Sequence, residues 1–226
     1  MKILNKFLTI ILIIALVFLA LTFSIGLPIY CRFFYFMQVE SLNIKADSGL
    51  TDEQIARAFN EIMDYLTRGK PFGVGGLSWS EDGKSHFADV KALFNLNLAV
   101  FLASLATVAI LIVLHKTKVV SLGKKGLPSC FLSAGISLFA LMALMGIALL
   151  ANPWEAFTVF HKIFFFGKDN WQFSRHEDAI ITILPMQFFI NAGILIAASA
   201  ALISAAFILE GKKLSGGKIP RSMPRR

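Results

Sequence analysis

Four apolar stretches, residues 7–27, 93–114, 130–151 and 179–209, contain no charged side chain, and they constrain this chain more than any other feature. Each is long enough to cross a hydrocarbon core of ~30 Å, which takes ~20 helical residues. Lipid offers the backbone no hydrogen-bond partners, so a spanning segment is either a helix or a strand of a closed barrel. Runs this long, without polar alternation, are helices. The composition agrees: 56% of the 226 residues are hydrophobic, 22 are Phe and only 16% are charged. The fold class predicted is an all-α membrane protein. Its four-transmembrane-helix bundle carries a small extracytoplasmic head, α or α/β, and an interfacial aromatic helix between spans three and four.

The first stretch begins after Lys2 and Lys6 and resembles a signal peptide. It is longer than the usual ~7–15-residue apolar region and no A-x-A-like site follows it, so it reads as an uncleaved anchor. Cys31 is preceded by Pro28, Ile29 and Tyr30, without the small residue a lipid-attachment site needs. Orientation follows from charge. Residues 1–27, 115–129 and 210–226 hold 12 basic residues, among them Lys116, Lys118, Lys124, Lys125, Lys212, Lys213, Lys218, Arg221, Arg225 and Arg226, against one acid, Glu210. The segments 28–92 and 152–178 hold 10 basic and 13 acidic residues. Lys and Arg accumulate on the cytoplasmic side, which places both termini inside and segments 28–92 and 152–178 outside a bacterial cytoplasmic membrane. The formal net charge of +8 is then a membrane-anchoring feature of the inner face, not a nucleic-acid surface. Cys31 and Cys130 fall at opposite ends of the membrane and cannot pair.

The segment 28–92 forms the head. Thr51 and Gln54 have the spacing of a capping box. The helix they open carries Ile55, Phe59, Ile62, Met63 and Leu66 on one face and should end near Gly69 and Pro71. Turn-like residues on either side of Leu77–Trp79 suggest a short hairpin. In 152–178, Trp154, Phe157, Phe160, Phe164, Phe165, Phe166 and Trp171 are too aromatic for a solvated loop and indicate an interfacial or re-entrant helix. The fourth stretch would run ~46 Å as one helix and must tilt, bend at Pro185 or project outward. Asn95, Asn97, Gln187 and Asn191 lie towards the outer ends of spans two and four. Such amides serve either as inter-helix glue or as the lining of a polar pocket.

His86, His161 and His176 all lie in the outer segments, whereas His115 sits beside Lys116 at the cytoplasmic end of span two. Imidazole exchanges protons near neutral pH. Asp89 follows His86 by three residues, so on a helix it shares a face with the ring and could orient or charge-stabilise it. His161 lies amid phenylalanines. A metal site is the chemical competitor, with His86, His161, His176, Glu155, Asp89 and Asp178 as conceivable ligands, but no H-E-x-x-H-like spacing is present. The chain has no G-x-S-x-G, Walker A or G-x-G-x-x-G motif. A transporter or channel would place ionisable groups inside its spans, and these spans have none.

Several of these residues together resemble the bacterial lipoprotein intramolecular transacylase family, Lit. They are Tyr65-Leu66 with Gly69; His86 with Asp89-Val90-Lys91 and Leu93-Phe94; Phe160-His161 with Ile163-Phe164-Phe165; Trp171; Asp178; and Leu184-Pro185 with Phe188-Phe189. Phe87 departs from the family's usual Met and stays apolar. The resemblance implies transfer of the sn-2 acyl chain of a diacylglyceryl-cysteine lipoprotein to its own α-amino group, giving an N-acyl lyso-form. It implies no cofactor, a diacylated lipoprotein and membrane lipid as partners, and a monomer. On this reading His86 is the general base, oriented by Asp89, and His161 is the general acid or oxyanion donor. Asp178 and Trp171 support them, and Tyr65, Asn95, Phe160, Phe164, Gln187 and Asn191 contribute to substrate binding. The alternatives are another outer-leaflet lipid acyltransferase, a metal-dependent hydrolase and a non-catalytic accessory protein.

Overall fold

All regular elements among the described residues, 2–122 and 126–216 of a computed structural model, are helical. In chain order they are α1 (Lys2–Tyr30), α2 (Phe33–Phe36), α3 (Ile44–Ser48), α4 (Asp52–Arg68), α5 (Glu81–Lys116), α6 (Gly126–Ala151), α7 (Pro153–Phe164), a 3₁₀ turn (Ala179–Thr182) and α8 (Met186–Gly216). Helices α1, α5, α6 and α8 are each long and apolar enough to cross a membrane. Lys124, Lys125, Lys218, Arg221, Arg225 and Arg226, which enter the charge argument, lie outside the described residues.

The chain divides into two units. One comprises Met1–Ser24, Val100–Leu144 and Ala197–Arg226. Its core joins Leu12, Ala15 and Leu16 of α1 with Val108 and Leu111 of α5 and Cys130 and Ala134 of α6. Helices α6 and α8 approach closely because Gly135 and Gly211 have no side chain. A Cβ at Gly135 would meet Ile208 and the Ser204 carbonyl, and one at Gly211 would meet the backbone of Pro128 and Leu132. Ser204 Oγ donates across this contact to the Gly135 carbonyl at 2.7 Å. Small residues and such hydrogen bonds hold helices together where lipid removes the hydrophobic drive.

The other unit comprises Ile25–Ala99 and Met145–Ile196. Its core is built on α4, whose Ile55, Ala58, Phe59, Ile62, Met63 and Leu66 are buried along one face, as the 3.6-residue period requires. The capping box forms: Thr51 Oγ1 accepts from the Gln54 N–H at 3.3 Å, and Gln54 Oε1 accepts from the Thr51 N–H at 2.8 Å. Gly69 ends the helix in the left-handed conformation (φ 70°). Tyr35 is buried against this face, stacked on Phe59 at 3.7 Å between ring centroids. Its hydroxyl donates to the Ile183 carbonyl at 2.9 Å.

One expectation changes here and another is narrowed. The hairpin around Leu77–Trp79 is absent; residues 69–80 are irregular. Gly75 has φ +67° and lies so close to the backbone of Ala58 that no side chain fits, and its N–H donates to Glu61 Oε2 at 2.7 Å. This contact anchors the segment on α4 without strand pairing. Of the three ways open to the fourth apolar stretch, the chain takes the bend at Pro185. It breaks at Pro185, with a 3₁₀ turn before and α8 after, because proline cannot donate to a carbonyl one turn back.

Candidate active site

Helix α5 begins well before its apolar run, and this early part carries His86. Ser80 caps the helix, its Oγ accepting from the Gly83 N–H at 2.9 Å. Asp178 in turn holds Ser80. One carboxylate oxygen accepts from the Ser80 N–H at 2.9 Å and the other from the Ser80 hydroxyl at 2.8 Å. Asp178 is only 4% exposed. Gly83 is required at this point, since a Cβ there would strike the Asp178 carboxylate. The Ala179 N–H donates to the Ser78 carbonyl at 3.1 Å beside it. Asp178 therefore ties the segment after α7 to the start of the helix that presents His86.

His161 is presented by α7, which opens with Asn152 as N-cap and Pro153 in the first turn. That helix exposes Trp154, Phe160, Ile163 and Phe164 and turns His161 inward. The two imidazoles, each 7% exposed, meet with ring centroids 5.7 Å apart. Aromatic rings wall them. Phe165 and Phe173 present edges to His86 at 4.7 and 5.4 Å, and Phe157 and Trp171 lie 4.0 and 4.6 Å from His161.

Hydrogen bonding sets the chemistry of each ring. His161 Nδ1 lies 2.7 Å from the Phe157 carbonyl oxygen. A carbonyl only accepts, so Nδ1 carries the proton and, in the neutral ring, Nε2 bears the lone pair. His86 Nδ1 is buried with no hydrogen-bond partner. Burial holds both rings below the usual imidazole range. His86, which precedes the apolar run at Leu93, is pushed down to about 4. The neighbouring His161 lowers it further, the Asp89 carboxylate opposes, and Lys168 adds to the lowering. For His161 the hydrogen bond to Phe157 opposes the effect of burial. Both imidazoles are thus neutral near pH 7.

Asp89 acts on His86 through space. Its carboxylate accepts from Lys168 Nζ at 2.6 and 2.8 Å and from Asn170 Nδ2 at 3.2 Å. Among the other residues predicted from sequence, Trp171 and Phe160 touch His161, whereas Phe164 touches Phe160. Tyr65 packs on Phe72 and under Lys91. Gln187 donates to Asn191, and Asn191 donates to Gln38, so these amides form a relay that includes neither histidine. Asn95 is exposed. Among the described residues no three His, Cys, Asp or Glu side chains are grouped to hold a metal ion.

Sequence reasoning missed Lys168, Asn170, Phe173 and Ser80, and it read Phe157 and Phe165 only as part of the interfacial aromatic segment. Those two had a local signal, since Phe157 stands one turn before His161 and Phe165 one turn after it.

A family model described as lipoprotein intramolecular transacylase Lit matches residues 10–189. The fold is also that of solved structures of the membrane integral lipoprotein intramolecular transacylase Lit from Bacillus cereus. One has a TM-score of 0.87 at 23% identity, covering 96% of this chain and 99% of that one. Two others carry a histidine substituted by arginine or by alanine. They have TM-scores of 0.79 and 0.78 at 21% and 22% identity, each covering 95% of this chain and 93% and 95% of theirs. No curated protein matches the sequence.

Proposed function

The chain belongs to the lipoprotein intramolecular transacylase Lit family, and from that premise we propose that it moves the sn-2 acyl chain of a diacylglyceryl-cysteine lipoprotein onto the α-amino group of the same cysteine. The observation that carries the reading is the pair of buried, neutral imidazoles 5.7 Å apart within an aromatic wall. An O-to-N acyl shift requires a nitrogen free of its extra proton, a stabilised tetrahedral oxyanion and a proton for the departing glyceryl oxygen.

The Phe157 contact favours His161 as the base, the reverse of the sequence-based assignment. The α-ammonium, with a reference pKa of ~7.7–8.0, first loses one proton to solvent. The amine then attacks the sn-2 carbonyl carbon and the N–C bond forms. His161 Nε2 accepts the proton shed by the nitrogen while neutral His86 donates a hydrogen bond to the oxyanion. The C–O bond to glycerol breaks and His161 returns the proton to the glyceryl oxygen. The products are an amide and an alcohol, and both imidazoles end as they began. Donor and acceptor share one molecule, so neither acyl-CoA nor ATP is needed, and catalysis rests on bringing two ends together. One chain carries both imidazoles, so the reading needs no second copy.

The excess of Lys and Arg in residues 1–27, 115–129 and 210–226 supports cytoplasmic termini and a site at the outer leaflet. The exposed aromatic face of α7 suits the headgroup boundary there.

The test uses purified protein in nanodiscs and a synthetic diacylglyceryl-cysteine peptide, with mass spectrometry of the product. An N-acylated peptide of unchanged mass, with its sn-2 hydroxyl freed, is expected. His161→Ala and His86→Ala should each lower the rate ~10²–10⁴-fold, the usual contribution of a positioned acid or base. Full activity in both variants would discard the mechanism.

A further inference from the structure

Asn170 has a spare acceptor beside the catalytic pair. Its side-chain Nδ2 donates to Asp89 Oδ2 at 3.2 Å and to Ser85 Oγ at 3.3 Å. A carboxylate oxygen only accepts, so this contact fixes which way the amide faces. Both N–H bonds are thereby used, and the carbonyl oxygen Oδ1 is left buried with no partner. A buried amide oxygen without a donor is costly, so natural proteins rarely keep one idle.

The position gives the spare acceptor a context. Ser85 adjoins His86 in sequence, and Asp89 lies one helical turn beyond it on α5. One residue after Asn170, Trp171 packs on His161; two further on, Phe173 packs on His86. The segment that holds Asn170 therefore touches both imidazoles. Asp89 adds charge. An ionised carboxylate offers about four acceptor positions, of which Lys168 takes two and Asn170 one.

We propose that Asn170 Oδ1 and the Asp89 carboxylate form the subsite for the substrate's α-amino group, the amide oxygen accepting one N–H and the carboxylate, already paired with Lys168, offering its remaining acceptor position to a second. The identity of the amine rests on the transacylation reading. Asn170 is here a substrate-binding residue: it places the nitrogen, and the imidazoles move the proton. Binding as the ammonium next to Asp89, then release of one proton, leaves a positioned amine whose remaining N–H still points at Asn170.

The probes are two unreactive dialkyl-ether glyceryl-cysteine peptides, one with a free α-amine and one in which hydrogen replaces the amino group. Affinities are measured for the full-length protein in nanodiscs. Wild type is expected to bind the amine at least tenfold more tightly. Asn170→Ala should reduce that preference to less than threefold, whereas Asn170→Asp, which keeps an acceptor, should retain it. Equal binding of both probes by wild type overturns the proposal without any variant. An undiminished preference in Asn170→Ala overturns it as well, and so does loss of the preference in Asn170→Asp. The two readings fail separately: wild type that transfers the acyl chain of a diester substrate yet ignores the amino group loses only the subsite. Wild type that prefers the amine yet transfers nothing loses only the transacylation.

Discussion

Replacing Asp178 by alanine separates a residue that positions the site from one that reacts. The carboxylate is 4% exposed and accepts two hydrogen bonds from Ser80, at 2.9 and 2.8 Å. A hydrogen bond to a charged acceptor contributes ~1.5–3 kcal/mol net. Two of them, less the cost of keeping a carboxylate buried, put Asp178→Ala about 3–4 kcal/mol below wild type in stability. At roughly 2–4 °C per kcal/mol for a chain of this length, the apparent Tm in nanodiscs should fall by about 6–16 °C. Asp178→Asn should lose less, about 1–2 kcal/mol: its oxygen still accepts the Ser80 N–H, and Ser80 Oγ can accept from the new amide. The two variants should also differ in rate. Ser80 opens the helix that carries His86, and a displacement of about 1 Å at a reacting group can lower a rate ~10²-fold. Asp178→Ala should therefore lose activity well below its melting temperature, with Asp178→Asn in between. Wild-type Tm and rate in Asp178→Ala would refute the coupling of this carboxylate to the site.

Gly75→Ala should destabilise the second unit by roughly 2–5 kcal/mol, combining a left-handed backbone with overpacking against Ala58, and thermal unfolding measures it. Because His86 titrates near 4 when folded, against 6.5 when free, its neutral form favours the folded state above about pH 6.5. That contribution, about 3 kcal/mol, is lost as pH falls from 6.5 towards 4, and His86→Gln should flatten this limb of a stability–pH curve. Transfer rates between pH 6 and 9 should rise with deprotonation of the substrate amine and show no inflection from His86; a break near 6.5 that disappears in His86→Gln would contradict its neutral role. Cys31, exposed in the structure, should react with a membrane-impermeant maleimide added outside intact cells, and labelling only after lysis would reverse the proposed orientation.

Length and the lack of charge made the four long helices readable from sequence, because lipid leaves a continuous apolar run little choice but a helix. Helix α4 was equally legible, since its cap, its apolar face and its terminating Gly69 are chemistry within a few residues of one another. His86 and His161 stood out as titratable groups at the edges of apolar segments. What the sequence could not supply was partnership across distance. That Asp178 holds Ser80, that Lys168 and Asn170 occupy Asp89, and that the Phe157 carbonyl sets the tautomer of His161 all depend on how the folded chain brings segments together. Local pattern reports which residues share a helix face. Tertiary packing alone decides which donor meets which acceptor, and so which imidazole nitrogen is left to take a proton.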